Sequence, residues 1–143
     1  MTKATLFVLV QFAAIGAILL TGAWLPQPPA LLALLAAGVA LGAWAILSMG
    51  IGNFGASPEP LAGARLVQRG PYAYIRHPMY TGLLLATLAL VLAAPSPLRI
   101  AFWLVLLIDL LFKLHYEEAL LVAKFPGYAK YQQATKKLIP VLY

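Results

Sequence analysis

The chain has 143 residues, of which 63% are hydrophobic and only 10% charged, with 10 Lys and Arg against four Asp and Glu for a net charge of +6. A soluble domain carries roughly 25% charged residues, so this composition excludes an ordinary water-soluble fold and points to an integral membrane protein. The chain has no cysteine, which excludes disulfides, thiolate catalysis and zinc–thiolate sites, and two histidines with four acids leave little for a dedicated metal site.

In chain order, the uncharged runs Ala4 to Leu25 and Ala30 to Ile51 are each long enough to cross a hydrocarbon core about 30 Å thick at about 1.5 Å per residue. The first exceeds the apolar core of a cleaved secretory signal and is expected to stay as a span. Pro26, Pro28 and Pro29 separate the two runs, and proline forbids helix continuation. Two shorter runs follow, Met79 to Ala94 and Ile100 to Phe112, the second with Asp109 inside it, and Pro95 and Pro97 mark the turn between them. The expected fold is therefore all-α: about four transmembrane helices arranged as two hairpins, with short interfacial helices. No repeat, low-complexity tail or second domain is visible. The expected organisation is one domain over 1–143, made of an N-terminal hairpin (1–51), a loop (52–78) and a core that holds the site (79–143).

Lys3, Arg65, Arg69, Arg76, Lys113, Lys124, Lys130, Lys136 and Lys137 fall on one side of such an arrangement and leave Arg99 alone opposite. The positive-inside rule then puts both termini and the central loop in the cytoplasm of a multi-pass cell-membrane protein. Contact with anionic headgroups accounts for the positive charge, and nucleic acid is not an expected partner.

The chemistry-bearing residues collect on that side. The loop from Gly52 to Arg69 is rich in Gly and Pro, which favours irregular backbone able to approach a ligand. The segment Gly70 to Gly82, GPYAYIRHPMYTG, places Arg, His and three Tyr at the mouth of an apolar run. Polar groups and broken helix are tolerated there only if they are covered by protein or line a cavity. Pro78 suits the first turn of the third span and puts His77 near its N-cap, where outward-pointing amides favour an anion. Further on, Asp109, Lys113 and Glu117 recur at i, i+4 and i+8, so one helical face carries acid, base and acid, with Glu118 beside it. Each feature has a plainer reading as well: the Tyr and Arg residues as an aromatic belt with a basic flank, the stripe as an ion-pair ladder, and His115 as a surface residue. The tail from Tyr128 to Lys137 suits a short interfacial helix.

The order of Gly70-Pro71-Tyr72, Arg76-His77-Pro78-Met79-Tyr80-Thr81-Gly82, Glu117-Glu118-Ala119-Leu120, Phe125-Pro126-Gly127-Tyr128 with Tyr131, and Ile139-Pro140 resembles the superfamily of isoprenylcysteine carboxyl methyltransferases and phospholipid methyltransferases, over roughly Gly63 to Pro140. The resemblance implies an integral membrane enzyme that takes S-adenosyl-L-methionine as cofactor. Carried over by position, it implies cofactor contacts from Leu66, Val67, Tyr72, His77, Pro78, Met79, Tyr80, Glu117 and Glu118. It also implies an acceptor-facing role for Lys113, which stands where the isoprenylcysteine enzymes resemble one another in having an Arg, with Tyr80 beside the reacting group. A Lys ammonium cannot reproduce the planar bidentate grip of Arg on a carboxylate, so the acceptor stays open among a lipophilic carboxylate, an amine headgroup and a small thiol. Methyl transfer is an in-line displacement, in which positioning and water exclusion supply most of the catalysis. Two other functions fit the residues less well: a nicotinamide-dependent membrane reductase, which would want a basic pocket for the 2′-phosphate, and a scaffold without catalysis. The residues do not set the oligomeric state.

Overall fold

A computed structural model describes residues 2–143, the Ile51 side chain excepted. Its helices are α1 (Lys3–Leu20), α2 (Pro29–Met49), α3 (Pro78–Ala93), α4 (Pro97–Lys124) and α5 (Tyr128–Ala134), with single 3-10 turns at Ile51–Asn53 and Gly70–Ala73. Among the described residues the fold is all-helical, and its one β-type feature is an isolated bridge between Ile75 and Lys136.

Local chemistry sets most of the helix ends. Thr2 caps α1 by accepting from the Thr5 amide at 3.1 Å, and Ser96 caps α4 by accepting from the Arg99 amide at 3.3 Å. Proline stands in the first turn of α2, α3 and α4, where a missing N–H costs nothing, and His77 is the N-cap of α3 as the spacing predicts. The apolar run Ala4 to Leu25 does not continue as helix past Leu20. Thr21 turns its hydroxyl back onto Ala17 O at 2.6 Å and the Trp24 indole donates to Leu19 O at 2.7 Å, so side chains satisfy the last carbonyls of α1. The α4 helix, in contrast, runs for 28 residues and so is about 42 Å long. It carries Asp109, Lys113 and Glu117 on one continuous helix well beyond the apolar run that ends at Phe112. The tail is helical only to Ala134; Thr135 is extended, and the chain turns again at residues 140–142.

Two of these helices, α1 and α2, are long and apolar enough to cross a membrane, and α3 is shorter. Their outer faces suit hydrocarbon: Leu9, Leu20 and Leu47 are each more than half exposed. Packing does not follow the two expected hairpins. The α2 helix lies chiefly against α3, and α1 chiefly against α4. Small residues bring α2 and α3 together. A Cβ on Gly82 would fall 2.6 Å from Gly38 O, and one on Gly38 would fall 2.5 Å from Ala86 N, so the two backbones touch through Gly38-xxx-Gly42 and Gly82-xxx-Ala86. The apolar core, including Ala14, Ile18, Leu84, Leu106, Leu110 and Leu114, fills the space among α1, α3 and α4.

Arg99, which the charge pattern leaves alone at the far end of the bundle, is 2% exposed. Its guanidinium donates to Ile18 O at 2.8 Å, to the Thr21 hydroxyl at 3.1 Å and to Leu90 O at 2.6 Å. One cation therefore satisfies the C-terminal carbonyls of both α1 and α3 and ties them to the first turn of α4. Gly22 leaves the room for it, because a Cβ there would overlap the guanidinium. Replacing Arg99 by Met is expected to lower stability by roughly 2–3 kcal/mol, through the loss of charge-assisted bonds to buried carbonyls. Thermal unfolding in detergent checks this, and an unchanged midpoint would remove Arg99 from the frame.

Candidate functional site

The polar end of the bundle is organised by a short extended pairing. Arg76 N donates to Lys136 O at 2.8 Å, His77 N to Lys137 O at 3.0 Å and the Thr81 hydroxyl to Leu138 O at 2.7 Å, so residues 74–77 lie along 135–138. The Tyr131 hydroxyl on α5 donates to Tyr72 O at 2.6 Å and fixes the 3-10 turn at Gly70–Ala73. Gly70 enters that turn at φ 60°, and a Cβ on it would fall 2.3 Å from the Ser48 hydroxyl oxygen, so glycine is required there.

At the centre stands Glu118. Its Oε1 accepts from Arg76 Nε at 2.6 Å and from His77 Nε2 at 3.2 Å, and its Oε2 accepts from Gln132 Nε2 at 3.2 Å. Burial alone would push the carboxyl up, but the bonds and charges of His77 and Arg76 outweigh it and hold the group down at about 2. Arg76 also donates through Nη1 to Thr135 O at 2.5 Å and to Gln132 O at 3.1 Å. Glu117, one residue earlier on α4, faces a different set: its Oε2 accepts from the Tyr80 hydroxyl at 2.6 Å and lies 3.8 Å from His77 Nδ1. The His77 and Tyr80 rings stack at 5.3 Å between centroids, with an interplanar angle of 9°. Burial, followed by the Glu117 charge, raises the Tyr72 phenol above its ordinary value, and burial pushes Tyr131 up to about 12. Both stay protonated donors across the physiological range.

These groups wall a cavity of about 550 Å³, within the range of small-molecule sites. Of the residues that the sequence picks out, Leu66, Val67, Tyr72, His77, Met79, Tyr80, Lys113 and Glu117 line it. Pro78 does not, since it serves as the buried first residue of α3, and Glu118 does not, since its oxygens are taken by Arg76, His77 and Gln132. His77 lines the cavity, yet its two ring nitrogens face Glu118 and Glu117, so the ring is not available to an anion as its N-cap position suggests. Lys113 is 1% exposed, with its ammonium donating to Gln11 Oε1 at 2.5 Å and Ala56 O at 2.8 Å and lying 5.4 Å from the Tyr80 ring centre. Asp109 is buried outside the cavity lining, and its Oδ2 has no partner among the described residues. His115 sits at the surface beside Lys137, at 2.9 Å.

Sequence reasoning misses Gln11, Asn53, Tyr128 and the apolar wall formed by Phe12, Gly38, Val39 and Leu83. Gln11 did leave a signal, being the one polar residue of α1 after Thr5. Arg76 also lines the cavity, and its Nη2 makes no protein hydrogen bond among the described residues.

The sequence model of the family described as phospholipid methyltransferase matches residues 29–127, which carry three of the four long helices and most of the cavity wall. The chain belongs to the phospholipid methyltransferase family. No curated protein matches the chain in sequence. In fold, it is similar to the eukaryotic intramembrane Ras methyltransferase, isoprenylcysteine carboxyl methyltransferase, with a TM-score of 0.56 and 24% identity over 99% of this chain and 55% of that one. The chain thus spans about half the length of the solved enzyme that shares its fold, and Gln11 on α1 lies outside the residues matched to the family. Membership makes this a membrane protein of a methyltransferase family and agrees with the order of motifs from Gly70 to Tyr128.

The depressed Glu118 value fixes the sign of an acid dependence. Because the folded carboxyl is held below its ordinary 4.5, the stability it contributes is present above that value and is lost as pH falls towards about 2. Glu118→Gln is expected to cost about 2–3 kcal/mol at pH 7, with the gap to the parent protein narrowing below pH 4. Denaturant titrations in detergent at a series of pH values measure it, and a gap that is constant with pH would contradict the assignment.

Proposed function

We propose that this protein is an integral membrane methyltransferase that moves a methyl group from S-adenosyl-L-methionine to a lipophilic acceptor, with four spans and with both termini and the central loop on the cytoplasmic side. The observation that carries this reading is the continuity of one cavity. Its polar end holds Tyr80, Glu117, His77 and Arg76, and its other end is the apolar wall of Phe12, Gly38, Val39 and Leu83.

The donor set suits such a cofactor. The Glu117 carboxylate, already accepting from Tyr80, has lone pairs left for ribose hydroxyls or an ammonium. Arg76, locked by Glu118 and the Thr135 and Gln132 carbonyls, keeps Nη2 for a carboxylate. The stacked Tyr80 and His77 rings offer a flat face to a purine or to a sulfonium. When bound, S-adenosylmethionine supplies an activated methyl whose departure discharges the sulfonium. The chain's part is to orient the two ligands and exclude water, and it needs no nucleophile of its own. Lys113 lines the same cavity beside the Tyr80 ring, and its ammonium is the group we assign to the head of an acceptor whose tail lies along the apolar wall.

Calorimetry of the detergent-solubilised protein with S-adenosylmethionine, S-adenosylhomocysteine and NADPH tests the reading. The two adenosyl ligands should bind and NADPH should not, and failure of both adenosyl ligands would sink the proposal. Glu117→Ala should weaken adenosyl binding by roughly ten-fold or more, the loss expected for a bond to a charged group, while the unfolding midpoint holds. For Lys113→Ala, turnover should fall more than donor affinity; equal losses would reassign the ammonium to the donor or to the frame.

A further inference from the structure

The loop between α2 and the 3-10 turn at Gly70 forms a flap over the cavity. Residues 54–61 all line the cavity, yet of residues 52–65 only Pro58 is buried, so little apolar packing holds the segment down. Polar straps do instead. At the neck, the Asn53 side chain donates through Nδ2 to Arg65 O at 2.8 Å and accepts from Arg65 N at 2.6 Å, closing the segment into an Ω-type loop. Over the cavity, α4 takes the loop's carbonyls with two ammonium groups: Lys113 donates to Ala56 O at 2.8 Å, and Lys124 donates to Leu61 O and, at 3.4 Å, to Pro60 O. The two lysines lie on opposite sides of Glu117 on the same helix, so the flap is pinned along the length of α4 that carries the polar wall. The neck is closed by an amide bonded through both its nitrogen and its oxygen, whereas the outer pin is one exposed lysine that does not line the cavity.

We propose that residues 54–61 are a lid hinged at the Asn53–Arg65 clamp, and that Lys124 is its latch: a positioning residue that never touches the ligand but sets how fast ligand leaves the cavity. The choice of pin follows from exposure. Lys113 is enclosed and tied to α1 as well, so the end held by Lys124 opens first. An opening confined to 54–61 exposes the Glu117 side of the cavity without disturbing the Glu118 cluster, because none of the straps involves Arg76, His77 or Glu118.

The proposal rests on the methyl-donor reading only for the choice of probe. Lys124→Met keeps the alkyl stem and removes the donors, and Lys124→Arg restores donors. In nanodiscs without ligand, Lys124→Met should raise deuterium uptake over 59–64, where the Glu59 amide bonds Ser57 Oγ and the Ala64 amide bonds the latched Leu61 O, by about five-fold in rate, as expected for losing one latch bond from a locally opening segment, while 135–138 and α3 are unchanged. Stopped-flow dissociation of S-adenosylhomocysteine should speed up by a similar factor, with a much smaller change in equilibrium affinity because entry and exit share the same opening. Lys124→Arg should return both rates towards the parent values. Unchanged uptake over 59–64 in Lys124→Met would overturn the latch, and faster uptake with an unchanged dissociation rate would overturn the lid. Absence of any S-adenosylhomocysteine binding to the parent protein would count against the methyl-donor reading and the gating role together, while the uptake arm would still decide whether Lys124 latches the loop.

Discussion

A single buried carboxylate holds the polar end of this bundle together. Glu118 receives Arg76 and His77 from the segment before α3 and Gln132 from α5, and Arg76 in turn grips the chain where α5 ends. A buried guanidinium or carboxylate without a partner costs several kcal/mol, so Arg76 and Glu118 each offset the burial of the other. The pairing leaves Glu117 free. Neighbours on a helix point about 100° apart, so Glu118 is spent on structure while Glu117 presents its charge to the cavity. Two adjacent acids thus divide the work, one fixing the wall and one lining it.

Much of the cavity was legible because the relevant features are local. Proline at the start of α3 and the i, i+4, i+8 stripe on α4 follow from rules that act within one or two turns, and they put His77, Tyr80, Lys113 and Glu117 at one end. Partner choice among the helices was not legible. Adjacent spans read as hairpins, but close approach between α2 and α3 depends on Gly38, Gly42 and Gly82 meeting, and a single sequence shows the glycines without showing which helix they face. The side of α4 that each acid occupies was hidden for the same reason, which is why Glu118 reads from sequence as a cavity residue.

Charge was the least transparent signal. Arg99 reads as a topological marker and is in fact the shared cap of two helices, while Lys113 and Lys124 read as ligand group and flank and also hold a loop by its carbonyls. In each case the partner is a backbone oxygen, and backbone oxygens carry no signature in a sequence. Helix ends were misjudged where side chains folded back on them, as Thr21 and Trp24 do on α1.

The pairing of residues 74–77 with 135–138 has a consequence for how the protein is made. The α1 and α2 helices precede α3 and α4 in the chain, yet each finds its main partner among those later helices, α1 in α4 and α2 in α3. The strand that fixes Arg76 and His77 is drawn from residues synthesised after every helix. The helices α1 to α4 therefore precede the stretch that completes the polar cluster, since Arg76 meets the Gln132 and Thr135 carbonyls only once residues 132–135 are in place. A chain stopped just after α4 would keep the helices that form the apolar wall and lose the geometry of the polar one, which separates assembly in the bilayer from competence at its edge.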